Sequence, residues 1–133
     1  MTTIYKSIDI EDRIRELLAP FFTVFCPPLP AKFSTPCLLV QWIGGNSLQS
    51  ANQKSKVDTF MVTIDARAKT EEEASDAIRT ATALLEAEQR NSGLSGVEVN
   101  SLYSWGEDPV RPDLCMCSAT LMVTAHRECV QLD

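Results

Sequence analysis

Five cysteines, one histidine and a pair of adjacent glycines are the residues of this 133-residue chain with the most obvious chemistry. Cys115-Met116-Cys117 would place two thiols on one face of a strand, about 7 Å apart along it. A Zn–S bond is about 2.3 Å, so both thiolates reach one zinc only if the strand breaks there. Cys26, Cys37, Cys129 and His126 have no CxxC or HxxxH spacing to complete a ligand set. The thiols are therefore read as small hydrophobes, and no metal is expected. His126 as a catalytic base would need a positioned nucleophile and a carboxylate, and the chain has no G-x-S-x-G turn. It is expected at a surface or edge. Gly44-Gly45 follows an apolar run, as in a phosphate loop, but the lysine and the directly following helix are missing. The pair is read as a strand terminus. Trp42, Tyr103 and Trp105 fit either core packing or exposed contact with a partner. No cofactor, catalytic residue or enzyme activity is expected.

The elements that must position these residues follow from periodicity. Residues 1–8 read as a short leader. Ile10, Ile14, Leu17 and Leu18 repeat at helical spacing behind an Asp9 cap, and Ala19-Pro20 ends that helix. Residues 21–26 read as a short strand, and four prolines within 27–36 make an extended connection. Residues 37–43 (CLLVQWI) read as a strand buried on both faces and stopped by Gly44-Gly45-Asn46. Residues 46–56 are polar and read as the loose tip of a long hairpin. Residues 56–67 return as a strand with Phe60, Val62, Ile64 and Ala66 on its apolar side. Residues 70–90 are the surest helix: Thr70-Glu71-Glu72-Glu73 is a capping box, and Ala74, Ala77, Ile78, Ala81, Leu84 and Leu85 form its buried stripe. A second hairpin joins a strand at 97–105 to a strand at 114–127 through a turn at 106–113. The predicted fold is one α+β domain over residues 1–133. An antiparallel sheet of two hairpins carries the long helix on one face, plus a short N-terminal helix.

Composition narrows the function classes. Apolar residues make up 44% and charged residues 23%, as in an ordinary globular domain. No run of 18 apolar residues is present, so no membrane span is expected. No secretory signal is legible at the start, and an odd number of cysteines suits reduced thiols. Twelve Lys and Arg against 18 Asp and Glu give a net charge of −6. That argues against specific nucleic-acid binding, which needs a dense cationic face.

The order of these elements, with several local strings, resembles the tail-terminator or tail-completion (head–tail joining) proteins of long-tailed bacteriophages. The resemblance runs through most of the chain. It rests on Leu17-Leu18 ending the first helix and on the proline-bearing connection into residues 37–45 (CLLVQWIGG). It continues with Val57-Asp58 opening the next strand and Asp65-Ala66-Arg67-Ala68 leading into Thr70-Glu71-Glu72-Glu73-Ala74. It closes with residues 108–113 (DPVRPD) before a last strand ending at Arg127. Relatives often carry a bulkier aromatic where Ala66 or Arg67 stands.

The resemblance implies a structural protein of a phage or prophage virion that assembles in the bacterial cytoplasm. It would form a homo-oligomeric ring, commonly a hexamer, that caps the tail tube and meets the head-completion or connector protein. DNA would pass through the ring without specific binding. Contacts are expected at residues 44–56 and 106–113, with Gly44, Gly45, Asn46, Gln49, Gln53, Lys54, Lys56, Asp108 and Arg111 as interface candidates. The rival reading is a small cytosolic regulatory or metabolite-binding domain. Asp65, Arg67 and Arg111 are its only candidate polar groups, and it requires them to converge on a pocket.

Overall fold

Alternating hydrophobicity at 56–68 and 115–126 produces the two central strands of the fold. In the computed structural model, residues 1–49, 56–89 and 93–133 are described. The chain runs β1 (Thr2–Lys6), α1 (Ile10–Leu18), β2 (Thr23–Phe25), β3 (Cys37–Gln49), β4 (Lys56–Ala68), α2 (Glu71–Glu88), β5 (Leu94–Glu107), β6 (Cys115–His126) and β7 (Glu128–Leu132). Five strands form one sheet in the order β2-β3-β4-β6-β5. The hairpins β3–β4 and β5–β6 are antiparallel and join through an antiparallel β4–β6 pair. Both helices pack on the same face, α2 across β4, β5 and β6, and α1 beside it over β3. This is the predicted α+β arrangement.

The caps and stripes sit where their side chains dictate. The Asp9 carboxylate accepts from the Asp12 amide at 3.1 Å, and the Thr70 hydroxyl accepts from the Glu73 amide at 3.2 Å. Three glutamates fill the first turn of α2, where the helix dipole favours negative charge. Ala74, Ala77, Ile78, Ala81 and Leu85 are buried against Val62, Ile64, Ala119 and Leu121 of the sheet. The small alanines let the helix axis come close to the strands. Thr70→Ala removes one amide partner at the start of α2 and is expected to cost about 1 kcal/mol. A denaturant midpoint shift with an unchanged m-value would register it.

Four expectations are corrected. Residues 2–6 are not a leader: β1 pairs antiparallel with β7, from Thr2 opposite Leu132 to Lys6 opposite Glu128. The strand ending near Arg127 is therefore followed by another. A five-residue ribbon with mostly exposed side chains has too little alternation to be legible. β2 runs parallel to β3, through only three pairs, because the proline-bearing connection is long enough to carry the chain back to the starting end. Gly44-Gly45-Asn46 does not stop β3. A register shift between Trp42 and Gly44 lets the strand continue to Gln49, paired with Lys56. Finally, residues 41–43 are exposed, so burial on both faces is confined to residues 37–40 of β3.

The β1–β7 ribbon is fastened to the sheet at Asp58. That buried carboxylate accepts from the Ser7 hydroxyl at 2.6 Å and from Arg127 Nε and Nη2 at 3.0–3.1 Å. The Asp58 partner also raises the Arg127 pKa above its ordinary value.

Candidate functional site

Among the described residues, no group of three His, Cys, Asp or Glu side chains is placed to hold a metal. The five thiols are free; Cys37 and Cys117 are buried and Cys129 is exposed. Burial pushes the Cys37 thiol up, opposed in part by the nearby Arg67. His126 lies exposed at the end of β6.

The polar groups of the metabolite-binding reading do not meet. Asp65 accepts from the Ser118 hydroxyl at 2.6 Å, and Ser118 in turn accepts from the Trp105 indole at 2.9 Å. Arg67 is buried against Asp108, with Nε to Oδ2 at 2.8 Å. Arg111 forms a two-point pair with Asp113 and lies over the Phe33 ring at 5.5 Å. Each is committed to a different intrachain partner.

The interface candidates scatter in a similar way. Gly44, Asn46, Gln49 and Lys56 are strand residues of the β3–β4 pair, not parts of a loose tip. Gln53 and Lys54 lie outside the described residues. Gly45 serves an intrachain purpose: a Cβ there would stand 2.0 Å from the Thr59 carbonyl oxygen. Asp108 is only 2% exposed and holds the 108–114 turn onto the sheet, so its carboxylate is withdrawn from any surface contact. The Asp108 amide donates to the Leu114 carbonyl, and the Leu114 amide to the Arg111 carbonyl. The turn thus begins two residues later than expected, after β5 has run on to Glu107. Arg111 remains at the surface, half-buried.

What the fold does gather is apolar surface at the two ends of the sheet. Among the described residues, β5 is an edge strand along its whole length, and beyond Leu39 no strand lies on the outer side of β3. Trp42 and Ile43 on β3, and Leu102, Tyr103 and Trp105 on β5, are each 40–54% exposed. Trp42 meets Phe60 edge-on at 6.0 Å, and Tyr103 meets Trp105 edge-on at 5.4 Å, so both groups are held in place. The three aromatics are thus exposed and not core. The exposure of Ile43, which lies in the register shift between Trp42 and Gly44, and of Leu102, on the open edge strand, has no signal in alternation.

The edges keep one of the usual guards, the bulge, and over their open stretches lack the other two. Natural sheets protect open edges with charges, prolines or bulges. β3 carries no charged residue, and neither do residues 99–106 of β5. Bulges interrupt β5 between Val99 and Ser101 and between Ser104 and Gly106, leaving residues 101–104 as a regular open run. On β3, the Trp42 amide is taken by the Glu11 carboxylate at 2.8 Å. Beside that point is a groove of about 510 Å³, lined by Ile8, Ile10, Glu11, Trp42, Gly45 and Phe60.

No family model matches the chain, and no curated protein matches it in sequence. The reading of function therefore rests on the geometry of these edges and on the resemblance set out above.

Proposed function

We propose that this chain is a structural assembly subunit of a phage virion, of the tail-terminator kind. Copies close into a ring, hexameric by the resemblance, at the junction of tail and head. The ring caps the tail tube on one side and receives the head connector on the other. It assembles in the bacterial cytoplasm and ends in the virion, and its acidic balance suits a passage that DNA crosses without sticking.

One observation carries the reading: uncharged open stretches, beyond Leu39 on β3 and at residues 99–106 on β5, lie on opposite sides of the sheet, and each displays exposed aromatic and aliphatic side chains. Two different patches on opposite sides of one subunit are what a cyclic, head-to-tail assembly requires. Contiguous exposed apolar surface rimmed by polar residues is characteristic of interaction sites.

Light scattering on a sizing column tests this. The expected result is a mass that rises with concentration to a closed species, seen as a ring in negative stain. A chain that stays monomeric at all concentrations up to about 1 mM, alone and with tail tubes, would sink the reading. The rival metabolite-binding reading draws on the groove beside Trp42. It predicts a melting temperature raised by a small molecule, because a ligand that binds only the folded state stabilises it.

A further inference from the structure

We infer that the open run of β5 in one copy adds as an antiparallel strand to residues 43–49 of β3 in a second copy, with Leu102 entering the groove beside Trp42 and Phe60. The inference rests on the self-assembly reading and names the contact it would use.

Strand direction is the first argument. β3 is antiparallel to β4, β4 to β6, and β6 to β5, so the two free edges run in opposite directions. A rotation about an axis along the strands keeps those directions. It brings β5 of one copy antiparallel to β3 of the next, the more favourable ladder. The second argument is the matching of faces. Leu102 points to the helix-bearing side, where it shares a cleft with Ile78 and Arg79 of α2. The groove opens on that same side, since Phe60 belongs to the core face of β4. A sheet continued from copy to copy therefore brings an exposed leucine to a hollow where Ile8, Ile10, Trp42 and Phe60 offer apolar surface beside Asp9, Glu11 and Asp58.

Charge is the third argument. Residues 99–106 are uncharged, with Glu98 and Glu107 outside the run, so they set no carboxylate against the Asp9, Glu11 and Asp58 that line the groove. The Glu11 carboxylate already occupies the Trp42 amide, so strand addition starts past it, at residue 43. Pairing therefore falls on the part of β3 beyond the bulge. A second copy is the occupant because one chain carries both complementary edges, one at each end of a single sheet.

The test uses the full chain and two single substitutions. Leu102→Glu places a charge on the β5 run, and Ile43→Lys places one on the β3 edge. Both residues are half-exposed, so circular dichroism and melting are expected to match the parent. Each variant alone should lose association by at least about tenfold. Mixed together they should form a one-to-one dimer, because each still offers the edge that the other lacks; this dimer would also show that both are folded. If Ile43→Lys alone still dimerises, β5 pairs with β5 about a two-fold axis and the inference is wrong. If both variants assemble as the parent does, the ring uses another surface: the inference fails and the self-assembly reading stands. A parent chain that never associates overturns both.

Discussion

Gly45→Ala is expected to destabilise the fold by about 3 kcal/mol and lower the melting temperature by roughly 10 °C, whereas Gly44→Ala should do far less. The cause is backbone against backbone. A Cβ at position 45 would lie 2.0 Å from the Thr59 carbonyl oxygen and 3.0 Å from the Phe60 Cα, and neither atom can rotate away. φ at Gly45 is +149°, outside the range that residues with a side chain favour. β3 would have to separate from β4 beyond the bulge, freeing the pairs from Gly45 opposite Phe60 to Gln49 opposite Lys56. At Gly44 φ is +159°, so a side chain there also strains the backbone, but among the described residues an added Cβ meets nothing within 4 Å. Thermal melts of the two variants side by side decide the matter. Equal shifts would mean that the approach to Thr59 is not what requires glycine.

The second large effect is expected at the buried ion pair. Asp108→Ala would leave the Arg67 guanidinium uncompensated in the interior, at a cost of about 3–5 kcal/mol. Among the described residues Arg67 Nη1 already has no hydrogen-bond partner, so little remains to absorb the loss. The 108–114 turn would lose its anchor, since Asp108 also accepts from the Val110 amide at 2.9 Å. The double variant Arg67→Leu with Asp108→Ala should cost clearly less than the sum of the single changes, because no charge is then stranded.

Acid provides an independent check. Burial pushes the Asp108 carboxyl up, but the Val110 amide and the Arg67 guanidinium outweigh it and hold the group below its ordinary value. A carboxylate depressed in the folded state contributes stability that is fully present above its unfolded pKa, about 3.9, and is lost as pH falls through the folded value. The parent should therefore lose stability on acidification below about pH 4 more steeply than Asp108→Ala does. Urea midpoints measured from pH 6 down to pH 2.5 would show the two curves converging in acid. Parallel curves would remove Asp108 from the account.

Much of this architecture is written in local pattern. The Thr70 capping box and the alanine stripe announce α2, and Phe60, Val62, Ile64 and Ala66 announce the buried side of β4, because each signal lies within one element. What escapes local reading depends on partners far along the chain. β1 has meaning only beside β7, and the distal half of β3 only beside β4. Asp108 looks like a surface turn residue until Arg67, 41 positions away, draws it inward. For the candidate edges the difficulty is of another kind. Alternation indicates which face of a strand is apolar, but not whether a neighbouring strand will lie beside it. Strand order, and not alternation, therefore decides that Trp42, Tyr103 and Trp105 are exposed.

The β1–β7 ribbon has a consequence for how the chain acquires its shape during synthesis. Thr2 is synthesised well before its partner Leu132, with both helices and the whole five-stranded sheet between them in the sequence. The helices and the β3–β4 hairpin have their neighbours close by and can form while translation continues; β1 must wait. Throughout that interval Ser7 and Asp58 lack Arg127, the third member of their joint. Closure of the ribbon thus follows formation of the sheet, and chains interrupted before Arg127 would carry residues 2–6 untethered.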